Sequence, residues 1–202
     1  MSENTTAART VVSVDRGKLD VQALVLLAVL LAAGFILNFT VGRMISSISG
    51  GLISPEFIIS AFCLTILVVR PNPGQALVIG LVSAAVIQLT TTSPFVDFAA
   101  EGIAAMFMAV IVRAGIEGPA KRFVPLVGSF VTTVVSGVVF MLIPSGVLSH
   151  VGALMLIRIA MVGAASGLAA AMLPVVVLTA VFNAILVSAL YLPIRKALGL
   201  SD

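Results

Sequence analysis

Residues 21–39 read VQALVLLAVLLAAGFILNF, a run of 19 residues without a charged side chain. About 20 apolar residues in helical conformation cross the hydrocarbon core of a bilayer, so this run predicts a transmembrane helix. The rest of the chain has the same character, since 60% of its 202 residues are hydrophobic and 9% are charged, with a mean hydropathy of +1.26. This composition is typical of an integral membrane protein.

Further apolar runs predict spans at about 55–69, 75–89, 99–116, 123–143 and 173–192. Prolines and glycines separate them, as in Arg70-Pro71-Asn72-Pro73-Gly74, which prevents a continuous helix. We therefore predict an all-α integral membrane protein of about six transmembrane helices, with one domain over 21–196. Residues 1–20 and 197–202 are predicted as cytoplasmic tails. The apolar segment 151–172 contains Arg158, and we interpret it as re-entrant or tilted, either separate from the last helix or continuous with it.

The basic residues predict the orientation in the cell membrane. With six spans and the N-terminus inside, nine of the 11 basic residues lie on the cytoplasmic side, and only Arg43 and Arg158 lie outside. Cytoplasmic loops of membrane proteins carry such an excess of lysine and arginine. A seventh span would place Arg195 and Lys196 outside and break the pattern.

Sequence motifs of enzymes are absent. Gly17-Lys18 lacks the upstream glycine of a phosphate-binding loop, so the chain is not expected to hydrolyse ATP. His150 and Cys63 are the only histidine and the only cysteine, so we expect no catalytic pair, no metal site and no cofactor. Binding or transport remains. A stand-alone channel or transporter is the main alternative, and a membrane enzyme would need a catalytic pair that the sequence does not show.

Small residues recur at helical spacing. Ala28 and Ala32 lie four apart, on one face of the first helix, where they allow close approach of another helix. Similar spacings occur at Gly80–Ala84, at Ser129–Thr133–Gly137 and at Gly163–Gly167–Ala171. Such a stripe serves either contacts within the bundle or docking of a partner.

Several of these segments resemble a known family. The run Ile53-Ser54-Pro55-Glu56 through Phe62-Cys63-Leu64-Thr65, the proline-rich turn, Val78-Ile79-Gly80-Leu81-Val82 and Leu89-Thr90-Thr91-Thr92-Ser93-Pro94 are similar to the tryptophan-transporter family of bacteria. Met172-Leu173-Pro174 and Tyr191-Leu192-Pro193 share the resemblance. This family belongs to the substrate-binding (S) components of energy-coupling factor transporters. Phe95-Val96-Asp97-Phe98 departs from it, because a segment rich in glycine and glutamine usually follows the proline.

The resemblance implies a six-helix S-component bundle that captures tryptophan, a related amino acid or a vitamin from outside. It also implies three partner chains, a transmembrane coupling subunit and two ATPases. Ala28 and Ala32 would dock on the coupling subunit.

Polar residues near the outer helix ends form the predicted substrate site. Thr90, Thr91 and Thr92 offer hydroxyls at the end of the third span, or simply cap it by bonding to carbonyls one turn back. Asp97 and Glu101 lie four apart and share a helix face that suits an ammonium group. Arg158 is preferred to Arg43 as the partner of a carboxylate, because its neighbours are apolar. Asn183 completes the predicted polar set.

The charge asymmetry makes a topological prediction. Both termini are expected in the cytoplasm, with six helices spanning the membrane. Reporter enzymes that are active on one side only, fused to the C-terminus, will show activity for the cytoplasmic reporter. Activity of the outer reporter alone contradicts the assignment.

Overall fold

The structure is a computed structural model that describes residues 19–91, 95–142 and 154–200. For residue 142 and residues 154–171 only the helical backbone is described, and not the side chains. The predicted all-helical class is confirmed for these residues, among which no β-strand occurs. In chain order the helices are α1 (Val21–Leu37), a π-helical segment (Asn38–Gly42), α2 (Arg43–Ile48), α3 (Phe57–Val69), α4 (Pro73–Ile87), α5 (Val96–Gly115), a 3-10 turn (Lys121–Phe123), α6 (Val124–Leu142) and α7 (Leu154–Ala197).

Helices that follow one another in the chain run in opposite directions, as two pairs show. Gly80 of α4 faces the Glu101 backbone of α5, and Gly137 of α6 faces Val176 of α7, so each pair forms an antiparallel hairpin. The chain therefore passes back and forth between two ends of one bundle. We call the end that holds Ile48, Phe57, Ile87 and Val96 the upper end, and the opposite end the lower end.

Four helical segments are long and apolar enough to cross a membrane. They are Val21–Ile48, Val96–Gly115, Lys121–Met141 and Met172–Ala197, with 20 to 28 residues each. Much of their surface is apolar and faces outwards, as at Val25, Ile36 and Ile185. A water-soluble bundle turns such side chains inwards, so the described part of the chain has the surface of a membrane protein.

Helix α3 forms the centre of the bundle. All 13 of its residues are buried, and it packs against α1, α5 and α7. Its length is about 20 Å at 1.5 Å per residue, well below the ~30 Å thickness of the hydrocarbon core. Helix α4, with 15 residues, is only slightly longer. The two short helices are apolar, but their length alone does not make them spans.

A tight turn at the lower end joins these two helices. Arg70 ends α3 in the left-handed conformation, with φ of 54°, and Pro71 follows it. Asn72 then caps α4, because its side chain accepts from the Gln75 N–H while the Gln75 side chain accepts from the Asn72 N–H. The predicted break at Arg70–Gly74 is thus a helix end followed at once by a capped helix start.

Basic side chains gather at the lower end. Among the residues whose side chains the structure describes, the lower end holds Arg70, Arg113, Lys121, Arg122, Arg195 and Lys196. Arg43 lies at the upper end, where its guanidinium is 4.3 Å from the centre of the Phe39 ring. The two ends of the bundle therefore differ in charge.

The last helix is longer than the predicted span at 173–192. Its backbone is helical from Leu154 to Ala197, 44 residues with Pro174 and Pro193 inside. The segment before Met172 is therefore continuous with the last helix over 154–172, which is one of the two forms considered for it, and 151–153 lie outside the described residues. At about 66 Å, this helix is about twice as long as the hydrocarbon core is thick.

Close backbone approach holds α4 against α5. A Cβ atom added at Gly80 would lie 2.5 Å from the Glu101 carbonyl oxygen and 2.9 Å from the Ala105 Cβ atom. Backbone atoms cannot rotate away as a flexible side chain can, so the two helices depend on glycine at this position.

Replacing Gly80 with alanine is expected to destabilise the bundle. The methyl group overpacks the contact, which typically costs about 1–3 kcal/mol. The measurement is the melting temperature of purified protein. Gly74→Ala is the matched control, because its added Cβ would lie no closer than 3.4 Å to Asn72 Oδ1. Equal melting temperatures for the two variants contradict the claim that the contact between α4 and α5 depends on glycine at position 80.

Candidate functional site

A cavity of about 690 Å³ lies at the upper end of the bundle. It forms above the start of α3 and beside the end of α4, where the surrounding helices continue past the two short ones. Apolar side chains such as Phe39, Ile59 and Phe140 contribute to its wall. The polar and charged residues that line it are Asn38, Arg43, Ser46, Ser54, Glu56, Thr90, Thr91, Asp97, Glu101, Thr133, Ser136 and Thr179.

A π-helical segment shapes one wall of this cavity. Residues 38–42 interrupt the α-helical hydrogen bonding between α1 and α2, and Asn38, Phe39 and Gly42 line the cavity. Asn38 Oδ1 accepts a hydrogen bond from the Phe57 N–H at 3.1 Å, which satisfies an amide at the start of α3. π-Helical segments occur often at functional sites.

The loop before α3 is fastened to α7. Thr179 Oγ1 donates to the Ser54 carbonyl oxygen at 3.0 Å, and the Ser54 N–H donates to the same hydroxyl at 3.4 Å. Both residues line the cavity. This wall therefore depends on a contact between residues 125 positions apart.

Asp97 holds the connection between α4 and α5. Gln88 Nε2 donates to Asp97 Oδ2 at 3.1 Å, and Gln88 Oε1 accepts from the Phe95 N–H at 3.0 Å. The Thr91 side chain also forms a hydrogen bond with Asp97. The Asp97 carboxyl group thus has several partners from its own hairpin.

Glu101 lies one turn below Asp97, deeper in the bundle. Its side chain is 3% exposed, and Oε1 accepts from Ser136 Oγ at 2.8 Å. Its other oxygen, Oε2, is buried and has no hydrogen-bond partner among the described residues. Glu101 therefore has unused hydrogen-bonding capacity at the cavity wall, which Asp97 does not show.

The structure places the predicted site residues in three groups. Thr90, Thr91, Asp97 and Glu101 line the cavity together, and the Thr90 hydroxyl bonds to the Ile87 carbonyl at 3.1 Å as a helix cap does. Asn183 lies behind the wall, fully buried, where its Nδ2 donates to Thr133 Oγ1 at 3.2 Å. Thr92 and the side chain of Arg158 lie outside the described residues.

Sequence reasoning left Asn38, Glu56 and Ser136 out of the predicted site. Glu56 appears in the sequence only as part of the run that resembles the transporter family, and the predicted site prefers Arg158 to Arg43. Ser136 is adjacent to the small-residue stripe at Ser129–Thr133–Gly137, which gives it no distinguishing signal. Its position 35 residues from Glu101 becomes evident only when α5 and α6 are packed together.

Burial raises the pKa of Glu56 from 4.5 to about 7. The residue lies in the loop before α3, outside the helical spans. Its hydrogen bond with the Asn38 side chain opposes this increase in pKa, and the negative charge of Asp97 adds to it. The carboxyl group of Glu56 therefore changes its charge near neutral pH.

The acidic side chains of the cavity raise the question of a metal site. Among the residues that the structure describes, no group of three histidine, cysteine, aspartate or glutamate side chains is placed to hold a metal ion.

Comparisons of this chain with protein-family models, with curated proteins and with solved structures found no match.

Glu56 is expected to make stability depend on pH. Because its pKa is higher in the folded protein than in the unfolded chain, the folded state binds the proton more tightly between about pH 4.5 and pH 7. The free energy of unfolding contributed by this group therefore falls as the pH rises through that range. Melting temperatures at pH 5 and pH 8 should differ less in Glu56→Gln than in wild type. If the difference in melting temperature between the two pH values is the same in both proteins, Glu56 is not the group responsible for it.

Proposed function

We propose that this protein is a substrate-binding membrane subunit, similar to the S components of energy-coupling factor importers. The observation that carries the proposal is the cavity of about 690 Å³ at the upper end. Its volume falls within the range of about 300–1,000 Å³ that small-molecule sites occupy. Its wall combines apolar side chains with a few polar groups, as such sites generally do. The substrate is tryptophan, a related amino acid or a vitamin.

The orientation of the bundle supports uptake from outside. With the basic lower end in the cytoplasm, the cavity lies on the outer side of the membrane. In this arrangement α3 and α4 are the two additional crossings, which gives six in all with both termini cytoplasmic. The shortness of α3 is compatible with spanning, because α1, α5 and α7 pack around it and the cavity occupies the depth above it. Helix α4 lies at the edge of the bundle, packed mainly against α5.

Binding is favoured over a stand-alone channel by what lies beneath the cavity. Phe62, Ile66 and Leu67 of α3 are fully buried in the middle of the bundle. A continuous water path would require polar groups along the central helix, where α3 presents mostly apolar ones. The cavity is therefore interpreted as a binding site with a closed lower side, and transport then requires a conformational change driven by other chains.

The first helix supplies a surface for the coupling subunit. Ala28 and Ala32 are exposed, whereas Gly34 makes the close contact within the bundle, where an added Cβ would lie 2.9 Å from the Phe57 carbonyl oxygen. The alanine stripe is thus available for another helix, and its small side chains allow a short distance between the two backbones.

Co-purification tests the proposal. The tagged protein, isolated from its native membrane in mild detergent, is expected to bring down a transmembrane subunit and two ATPases. If the chain is isolated alone, under conditions that preserve a known ATPase complex of the same membrane, the result contradicts the proposal and favours a stand-alone transporter.

Tryptophan at both Ala28 and Ala32 is expected to prevent assembly, because the bulky rings hold the partner helix away. Ligand binding should persist, since both positions lie on the outer face of α1. Recovery of ATPase subunits and the melting temperature of the free chain are the two measurements. Ala33→Trp with Leu37→Trp is the matched control, because it adds two rings at exposed positions of the same helix that lie away from the face of Ala28 and Ala32. Undiminished assembly of the alanine variant contradicts the docking role.

A further inference from the structure

The deep part of the cavity contains an acidic group without sufficient partners. Glu101 is 3% exposed, and its Oε2 atom has no hydrogen-bond partner among the described residues. A buried carboxylate within a membrane-spanning helix is costly unless a charge or several donors compensate it. Ser136 supplies one neutral donor, to Oε1. The free oxygen therefore has capacity for a further donor, and a cation beside it would favour the charged form of the carboxyl group over the protonated form.

Charged residues around the cavity point to the same ligand chemistry. Three carboxyl groups line it, those of Glu56, Asp97 and Glu101, against one guanidinium, that of Arg43, among the described lining residues. Arg43 is exposed at the upper end and stacks over Phe39. When the acidic groups are ionised, this wall has a negative potential that attracts cations.

Asp97 and Glu101 differ in the hydrogen-bond partners of their carboxyl groups. Asp97 is engaged by Gln88 and Thr91, which belong to the same helical hairpin. Glu101 has one oxygen engaged and one free. The two share a helix face, but only Glu101 combines nearly complete burial with an unused acceptor.

We propose that Glu101 Oε2 is the acceptor for a protonated amine of an organic ligand, and that Ser136 positions the carboxylate for this contact. An ammonium group supplies the missing donor and the missing charge together, and charge-assisted bonds of this kind are stronger than neutral ones. A cavity of about 690 Å³ with an apolar wall leaves room for the apolar body that carries the amine. The ligand class is therefore an amine on an apolar skeleton, either a simple organic cation or a zwitterion.

This assignment rests on the proposed function for its biological setting, but its test is separate. Tryptamine, tryptophan and indole-3-propionate share one ring system and differ in charge. The probes, together with aliphatic and aromatic primary amines, are added to the full-length protein in lipid nanodiscs, and affinity is measured by calorimetry and thermal shift.

The wild-type protein is expected to bind at least one amine-bearing probe and to reject indole-3-propionate. Tighter binding of tryptamine than of tryptophan identifies a simple cation, and the reverse order identifies a zwitterion. Both orders support the amine contact. Equal or tighter binding of indole-3-propionate overturns the proposal, and so does the failure of every amine in the panel to bind.

Glu101→Gln is the decisive variant. It keeps an oxygen that accepts from Ser136 but removes the negative charge, so affinity for the amine should fall about tenfold or more. Glu117→Gln makes the same chemical change at an exposed position at the lower end, and it should leave affinity unchanged. An affinity of Glu101→Gln within about twofold of wild type overturns the proposal. If Glu101→Gln does not fold, the wild-type comparison of the three indole probes still decides the question.

The two proposals fail in different ways. Amine binding without recovery of ATPases leaves the cation contact in place and removes the S-component role. Recovery of ATPases without any amine binding does the opposite.

Discussion

The complete burial of α3 is the constraint on which the rest of the structure depends. Every side chain of this 13-residue helix is enclosed, so other helices must surround it. Because it is shorter than the bilayer is thick, its upper end leaves space between longer neighbours. Backbone groups at this end must be satisfied. Asn38 of the π-helical segment accepts from the Phe57 amide at the start of α3, and Thr179 of α7 donates to the Ser54 carbonyl in the loop before it. The cavity is the remaining space, and the residues that satisfy the end of α3 form part of its wall.

Close contact between backbones positions the charged groups. Gly80 allows α4 to touch the Glu101 carbonyl, and Gly128 allows α6 to approach the Met108 side chain, where an added Cβ would lie 2.9 Å from its sulfur. With α4, α5 and α6 this close, Ser136 reaches Glu101, and Gln88 reaches Asp97. Small residues thus control the geometry of the acidic groups as well as the stability of the bundle.

The charged groups differ between the two ends of the bundle. The lower end carries most of the described basic side chains, the middle of α3 is almost wholly apolar, and Glu56, Asp97 and Glu101 lie at the upper end. Placing charge at membrane depth opposes stability, and such residues are normally retained where a ligand or a water-filled space compensates them. The acidic wall and the apolar centre are the features that support the proposed function, in which the cavity captures a substrate at the outer side and delivery depends on partner chains.

The sequence by itself determined the helical class, the approximate positions of the helices, the charge difference between the two ends and the shared face of Asp97 and Glu101. These features follow from local periodicity, because residues four apart on a helix are neighbours whatever surrounds them. Only the tertiary structure decided that Asn38, Glu56 and Ser136 join the cavity and that Asn183 bonds behind it to Thr133. Hydrogen bonds of Asn38, Ser136 and Asn183 link residues 19 to 50 positions apart, so they depend on how helices pack. The length of α7 also became evident only from the tertiary structure, since apolar composition alone does not show whether a helix continues through a proline.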